Sequence, residues 1–363
     1  MSANASCDRI RRHARWRPLD VRGCTSHMEA EMRSLAAGAG IALMCVFGTP
    51  LGVPASPGAG ITITQITHTT VCGNEYATFD ASGNRFAFES NCDWVPPGNA
   101  DQSSEVFTMN ADGTDVTQIT AGVGGIGNVW INASGRRIVF ATTRDLVPGE
   151  NADGNTEIFI MDVDGGNLRQ LTHTTGTNHE GIANYLPAVD YAGKHVYFTS
   201  SLFGAVGDTK RLFAVNSDGT GLRQLTTGDG ASPSVDAKGN VYFIAGNVFR
   251  IKPDGSQLVP LGPPELLAHG NEKTGVDAAG SRLVFTSFTD VVPGGNTDGS
   301  REVFLLDIKT GGITQITSTS GPGLGCRTPS LSADGNTILF SCDGDLTGSN
   351  PDRNRELFLA ELR

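Results

Sequence analysis

The sequence predicts an all-β fold, a six-bladed β-propeller, from a repeated turn phrase, a repeated phenylalanine and the register of the two chain ends. The turn phrase starts at Asp80, places a glycine at Gly83 and ends at Phe88. Self-similarity at a nearly constant spacing is typical of repeat architectures, in which each repeat is one supersecondary unit. The phrase occurs six times, at residues 80–88, 132–140, 190–198, 236–243, 277–285 and 332–340.

A second phrase, an apolar residue followed by phenylalanine, comes after each copy of the first. An Asp-Gly turn follows most copies, and then a strand that ends in Gln-Ile-Thr or Gln-Leu-Thr. Each unit therefore predicts four short strands joined by tight turns, which is one propeller blade with its phenylalanines in the core. The second phrase occurs as Val106-Phe107, Ile158-Phe159, Leu212-Phe213, Val248-Phe249, Val303-Phe304 and Leu357-Phe358.

The two ends of the repeat region complete each other. Residues 61–67 match the fourth strand of a blade, although no earlier strand precedes them, and Glu356 to Leu362 match a third strand. An open sheet edge exposes unpaired backbone groups, which propellers avoid by closing the ring. We therefore expect the N-terminal strand 61–67 to complete the last blade.

The turn phrase Asp-Ala-Ser-Gly-Asn-Arg-Phe-Ala-Phe resembles the WD40-like repeat called PD40, found in the six-bladed propeller of TolB and its relatives. The resemblance covers residues 61–363 and implies a TolB-like propeller fold. The proline usual before the turn stands at Pro187, Pro233 and Pro329. No counterpart of the α/β domain that precedes the propeller in TolB is recognised, so TolB's role in an envelope complex does not transfer directly.

The N-terminal segments differ from the repeats. Residues 1–31 are arginine-rich without an apolar period, and we expect a non-native or disordered extension there. Residues 32–59 have the pattern of a signal peptide, with Arg33 before an apolar run from Leu35 to Phe47 and then small residues. That run is shorter than the about 20 residues that a membrane-spanning helix needs. We therefore expect residues 60–363 to be a periplasmic or secreted domain with no membrane span.

The charge of the chain excludes some partners. Lys and Arg number 27 against 38 Asp and Glu, a formal net charge of −11. Attraction to nucleic acid or anionic membranes requires clustered basic residues. We expect no nucleic-acid partner, and we expect a monomer that binds a protein or another envelope ligand.

Four cysteines follow the signal peptide, an even number that suits an oxidising compartment. Cys72 precedes the first strand of its blade and Cys92 follows the second, and Cys326 and Cys342 stand in the same relation. Such positions meet at the open end of an antiparallel hairpin. Of three possible pairings, we predict Cys72 to Cys92 and Cys326 to Cys342.

Four blades carry a related acidic loop between their second and third strands, with the spacing Asn-x-Asp-x-x-x-Glu. Oxygen ligands at this spacing could hold Ca²⁺, with carbonyls and water completing the shell. Alternatively, Asn and Asp make side-chain turns and the Glu accepts loop amide hydrogen bonds. The possible metal ligands are Asp93, Asn99, Asp101 and Glu105; Asp145, Asn151, Asp153 and Glu157; Asp290, Asn296, Asp298 and Glu302; and Asp345, Asn350, Asp352 and Glu356.

The innermost strands begin at the mouth of the central channel, where several polar residues converge. They suit a polar ligand or a cation. We expect an exported scaffold or binding protein of the cell envelope that holds its partner at this rim; no catalytic residue is assigned. The alternative is a metal-dependent hydrolase or lyase, with calcium as the metal and a site in the central tunnel. The predicted rim residues are Glu75, Asn128, His179, Asn184, His269, Glu272 and Arg327.

Overall fold

The computed structural model describes residues 60–176, 183–201, 210–262, 273–320 and 324–363. The predicted extension 1–31 and signal peptide 32–59 lie outside these residues. The described part of the chain forms six four-stranded antiparallel sheets and no helix. The predicted all-β, six-bladed propeller is therefore confirmed.

We number the blades in chain order, each from its inner strand to its outer strand. Blade 1 comprises β2 (Asn74–Phe79), β3 (Arg85–Ser90), β4 (Glu105–Asn110) and β5 (Thr117–Gln118). Blade 2 comprises β6 (Ile126–Ile131), β7 (Arg137–Thr142), β8 (Glu157–Asp162) and β9 (Arg169–Gln170). Blade 3 comprises β10 (Asn184–Val189), β11 (His195–Ser200), β12 (Arg211–Asn216) and β13 (Arg223–Gln224).

The remaining blades follow the same order. Blade 4 comprises β14 (Ala231–Val235), β15 (Val241–Ile244), β16 (Val248–Ile251) and β17 (Val259–Pro260). Blade 5 comprises β18 (Gly275–Val276), β19 (Arg282–Ser287), β20 (Glu302–Asp307) and β21 (Ile313–Gln315). Blade 6 comprises β22 (Cys326–Leu331), β23 (Thr337–Cys342), β24 (Glu356–Leu362) and, as its outer strand, β1 (Ile61–Gln65).

The ring closes through the N-terminal strand, as predicted. In blade 6, β1 pairs antiparallel with β24, so that Ile61 lies opposite Leu362 and Gln65 lies opposite Phe358. The inner strand β22 also packs against β2 of blade 1. The first and last strands of the propeller therefore share one sheet, and that sheet has no missing outer strand.

The repeated phenylalanines form one cross-strand pair in each blade. In blade 2, for example, Phe140 lies directly opposite Phe159, with stacked rings whose centroids are 5.7 Å apart. Both rings are fully buried. Ring pairs of this kind contribute about 0.5–1.5 kcal/mol beyond the area they bury, so the repeat places one such contact in each blade.

The outer strands are shorter than the sequence predicts, because the closing threonine leaves the ladder. In blade 1, β5 ends at Gln118. Two residues later, the Thr120 hydroxyl accepts the N–H of Val106 (2.9 Å) and donates to Glu105 (2.5 Å). The threonine therefore bonds to the third strand through its side chain instead of continuing the sheet.

The inner strands contain a repeated irregularity. In five blades the residue four places before the turn phrase has a positive φ, between 51° and 58°. The pairing register with the second strand shifts at the same point. These residues are Tyr76, Asn128, Leu186, Ser232 and Thr328, and the corresponding residue of blade 5 is Lys273.

Candidate functional site

A polar cavity of about 460 Å³ lies between blades 1 and 6, beside the start of the inner strands. Blade 1 lines it from β2, β3 and the loop before β4, and blade 6 lines it from the loop before β24. The lining includes Glu75, Glu89, Ser104, Asp343, Arg353 and Arg355. Of these residues, only Glu75 is among the predicted rim residues.

Two of the cavity carboxylates are paired with arginines. Glu75 forms an ion pair with Arg355 of blade 6. Asp343 forms an ion pair with Arg327 at 2.9 Å and also accepts the N–H of Gly325 at 2.6 Å. Glu75 and Arg327, both predicted rim residues, therefore lie next to the cavity with compensated charges.

Glu89 is different. It forms no salt bridge within the described part of the chain, and its carboxylate accepts the N–H of Asn128 at 3.3 Å. Burial raises the pKa of Glu89 to about 7, against the opposing effects of a Ser104 hydrogen bond, the Asn128 amide and the charge of Lys273. With this pKa, the carboxyl of Glu89 changes charge near neutral pH. Because Glu89 also lines the cavity, a ligand could contact this carboxyl.

Lys273 extends from its own blade into the centre of the ring. It comes from blade 5 and donates to the main-chain carbonyls of Tyr76 (2.9 Å) in blade 1 and Val129 in blade 2. Its ammonium group also lies 5.7 Å from the centroid of the Tyr76 ring and 5.2 Å from that of Trp130. Burial lowers the pKa of Lys273 well below its ordinary value. The side chain therefore connects opposite blades through the centre of the propeller.

The other predicted rim residues are distributed differently. Asn128 uses its side-chain oxygen to accept the N–H of Leu186 at 3.0 Å, so it joins blades 2 and 3. Asn184 is fully buried and donates to Glu157 at 3.0 Å, which is an internal contact of the blade 2–3 seam. His179, His269 and Glu272 lie outside the described residues.

Sequence reasoning missed Glu89, Asp343, Arg355 and Lys273. Glu89 and Arg355 follow the pattern of ordinary strand ends, and only the packing of blades 1 and 6 brings them together. The sequence did contain a signal for Lys273, a charged residue at one particular position of the repeat. The other blades carry at that position Tyr76, Asn128, Leu186, Ser232 and Thr328.

The acidic loops, residues 91–104, 143–156, 288–301 and 343–355, share one hydrogen-bond pattern. The first Asp accepts the N–H of the Asn, as in Asp145 to Asn151 at 3.0 Å. The same contact measures 3.0, 2.9 and 3.0 Å in blades 1, 5 and 6. The Asn then donates to the carbonyl four residues later, at 2.8–3.0 Å in all four loops.

The Glu that ends each acidic loop is buried and accepts hydrogen bonds from the segment after the outer strand. Glu157, for example, accepts the hydroxyl of Thr172 and both the N–H (2.6 Å) and the hydroxyl of Thr174. These partners are not the loop amides expected from the sequence. They lie on the connection to the next blade, so each Glu joins its own blade to that connection.

Calcium binding by these loops stays a prediction. Within the described residues, no three His, Cys, Asp or Glu side chains are grouped to hold a metal ion. Amide oxygens, which calcium also accepts as ligands, are a separate set of donors.

The disulfides join the residues that the sequence paired. Cys72 is bonded to Cys92, with their Cα atoms 5.3 Å apart, and Cys326 is bonded to Cys342, at 4.1 Å. Cys326 and Cys342 are also direct cross-strand partners of β22 and β23. Both bonds lie in the two blades that flank the ring closure, and Cys72 lines the cavity.

No protein-family model matches the sequence, and no curated protein matches it. The assignment of PD40 repeats therefore stays a prediction. None of the described segments forms a helix long and apolar enough to cross a membrane.

Solved structures do match the fold. TolB from Acinetobacter baumannii has a TM-score of 0.52 and 14% identity, covering 78% of this chain and 65% of its own. A putative TolB from Agrobacterium tumefaciens has a TM-score of 0.52 and 16% identity, covering 84% and 98%. Kuenenia stuttgartiensis hydrazine synthase has a TM-score of 0.51 and 14% identity, covering 82% and 47%. At these identities the similarity is one of fold, and this chain spans about two thirds of the Acinetobacter protein.

Proposed function

From a TolB-like six-bladed propeller, we propose an exported binding module of the cell envelope that holds a basic segment of a partner protein in the cavity between blades 1 and 6. Export is supported by the two disulfides, because such bonds persist in oxidising compartments. Periplasmic or secreted localisation after removal of residues 32–59 belongs to the same proposal.

The observation that carries the proposal is that some cavity carboxylates are paired with arginines and another is not. Glu75 and Asp343 are matched by Arg355 and Arg327. Glu89 has no salt-bridge partner among the described residues, and its carboxyl is ionised only above a pKa of about 7. A lysine or arginine side chain from a partner would supply a salt-bridge partner for Glu89.

A matched pair of peptides tests the ligand class. The arginine tripeptide acetyl-Gly-Arg-Gly-amide and its neutral citrulline counterpart are titrated at pH 8, and backbone amide shifts near Ser104 and Asn128 are recorded by NMR. We expect shifts with the arginine peptide alone, and weaker binding at pH 6, where Glu89 is protonated.

Two variants serve as the controls. Glu89→Gln should abolish the response, whereas Glu361→Gln, exposed on β24, should keep it. Equal binding of the arginine and citrulline peptides, or full binding by Glu89→Gln, would contradict the proposal.

Hydrolase or lyase chemistry is the second candidate, and Glu89 is the observation that favours it. A carboxyl with a pKa of about 7 is suited to general acid–base catalysis at neutral pH. Turnover of p-nitrophenyl acetate or of a γ-lactone is measured with and without EDTA. Activity that Glu89→Gln removes and Glu361→Gln retains would favour an enzyme; loss on chelation would further indicate the metal-dependent type.

A further inference from the structure

The four acidic loops fall into two classes that differ at one position, two residues before the closing Glu. Blades 1 and 5 carry a serine there, Ser103 and Ser300, and blades 2 and 6 carry an asparagine, Asn155 and Asn354. The two loop hydrogen bonds described above are common to all four loops. The Asp after the Asn differs, because it accepts the N–H of the serine in blades 1 and 5, whereas in blade 2 Asp153 accepts the N–H of Gly176 at 2.9 Å.

In the serine class, four oxygen atoms surround a single hydroxyl. The Ser300 hydroxyl lies 3.1 Å from the Asn296 side-chain oxygen and 2.7 Å from oxygens of both Asp298 and Glu302. It also lies 3.4 Å from the main-chain carbonyl of Thr319. The hydroxyl has one hydrogen for these acceptors, so the loop converges several oxygen lone pairs on one point.

Blade 1 repeats this arrangement. The Ser103 hydroxyl lies 3.4 Å from the Asn99 side-chain oxygen, 3.0 Å from Asp101 and 3.0 Å from Glu105. The carbonyl of Gly122, the counterpart of Thr319, lies at 2.7 Å. The convergence of Asn, Asp and Glu oxygens is therefore a property of the loop sequence.

In the asparagine class, the corresponding oxygens have no donor. The side-chain oxygens of Asn151 and Asn155 are fully buried, and no hydrogen-bond partner for either lies among the described residues. The same holds for Asn350 and Asn354 in blade 6. A buried carbonyl oxygen without a partner loses its hydrogen bonds to water without compensation, and here such atoms occur in pairs.

Rotating these side-chain amides by 180°, which exchanges nitrogen and oxygen, does not satisfy the buried oxygens. The Asn151 nitrogen donates to the carbonyls of Arg144 (3.3 Å) and Asn155 (3.0 Å). The Asn155 nitrogen donates to the carbonyl of Thr174 at 2.8 Å. Because those partners are carbonyls, the nitrogens must face them and the oxygens must face the opposite side.

We propose that the acidic loop of blade 2 binds one hard divalent cation of the calcium class through Asn151, Asp153 and Asn155. The acidic loop of blade 6 binds a second through Asn350, Asp352 and Asn354. Uncharged amide oxygens together with a carboxylate form the oxygen-only ligand set that calcium prefers, with water completing the shell. Blades 1 and 5 carry a serine in place of Asn155 and Asn354, so they lack this second amide oxygen.

Both proposed sites lie at seams between blades. Glu157, two residues after Asn155, accepts Asn184 at the start of blade 3. Glu356, two residues after Asn354, accepts Asn74 at the start of blade 1 at 3.2 Å. Ion binding should therefore stabilise the folded ring.

The test measures calcium stoichiometry in the folded protein. Wild-type protein stripped with EDTA is titrated with CaCl₂ by isothermal titration calorimetry, and its melting temperature is recorded with and without calcium. We expect two ions per chain and a higher melting temperature with calcium. No binding at millimolar calcium would overturn the proposal and indicate that water satisfies the amide oxygens.

The chain supplies its own matched substitution. Asn155→Ser and Asn354→Ser each copy the residue of blades 1 and 5, so each should lose one ion and the double variant both. The exposed turn variant Asp112→Asn should keep two ions. A folded double variant that still binds two ions would place the ions elsewhere and overturn the proposal.

If the serine variants fail to fold, substitutions of the exposed carboxylates test the proposal instead. Asp153→Ala and Asp352→Ala lie at exposed loop positions. Each should weaken calcium binding at its own site at least tenfold while leaving the other site unchanged. Unchanged affinity at both sites would contradict the assignment.

Discussion

The ammonium group of Lys273 donates to the main-chain carbonyl of Tyr76 at 2.9 Å, although 197 residues separate the two in sequence. The same group reaches Val129 of blade 2, the blade opposite its own. Inner strands of a propeller otherwise contact their neighbours around the ring. This side chain adds a contact across the axis, at the place where the other blades carry a left-handed residue.

Replacing Lys273 should change the pH dependence of stability. Since burial lowers the pKa of Lys273, the folded protein binds fewer protons than the unfolded chain between the lowered pKa and the ordinary one. Stability therefore rises with pH in that interval, by at most about 1.4 kcal/mol per pH unit. Urea unfolding at pH 8, 9 and 10 should show wild type gaining stability relative to Lys273→Met. The exposed variant Lys309→Met should follow wild type, and parallel curves for Lys273→Met would refute this prediction.

Replacing Glu89 should change the pH dependence of stability in the opposite direction. Its pKa is raised to about 7, so the folded protein binds more protons than the unfolded chain between the ordinary value and 7. Wild-type stability should therefore fall as pH rises through this window, and the cost is complete above pH 7. We expect Glu89→Gln to gain about 1–3 kcal/mol relative to wild type between pH 5 and pH 8 in urea unfolding. A difference that does not vary with pH would show that Glu89 has no raised pKa.

Ring closure should depend on the Thr67 hydroxyl. It accepts the N–H of Leu357 at 2.8 Å and donates to Glu356, so it joins the start of the propeller to its last strand. Thr67→Val keeps the shape but leaves buried groups unsatisfied, and it should cost about 1–3 kcal/mol of unfolding free energy. Thr64→Val, exposed on the same N-terminal strand, should change stability by less than about 0.5 kcal/mol. Equal effects of the two substitutions would exclude a specific role for the closing hydroxyl.

The two disulfides should contribute similarly to stability. They close segments of 20 and 16 residues, for which loop entropy predicts about 3 kcal/mol each. Cys72→Ala with Cys92→Ala, and Cys326→Ala with Cys342→Ala, should each lower the melting temperature. Peptide mapping without reductant should recover both bonds within their own blades. A peptide that links Cys72 or Cys92 to Cys326 or Cys342 would disprove the pairing.

The cross-strand phenylalanines should differ in energy according to burial. Phe159 of blade 2 is fully buried, whereas its counterpart Phe249 of blade 4 is partly exposed. Phe159→Ala should cost about 3–5 kcal/mol in chemical denaturation, and Phe249→Ala clearly less. Similar losses would mean that the blades do not contribute according to the burial of their rings.

Much of the architecture could be predicted because it depends on local patterns. The glycine turns, the paired phenylalanines and the position of each cysteine relative to its hairpin all repeat within short segments, so blade number, ring closure and disulfide pairing follow from spacing. The expectation that Glu75 and Arg327 lie at the rim comes from the same spacing, since each lies five residues before its turn phrase.

The chemistry of the cavity could not be predicted in this way. Glu89 titrates near neutral pH because blades 1 and 2 bury it, and Glu75 is neutralised by Arg355, 280 residues further along the chain. Linear order thus specifies which strands form each blade, through turn geometry and side-chain periodicity. The charge state of the cavity residues depends on desolvation and on partners from other blades, and these exist only once the ring has closed.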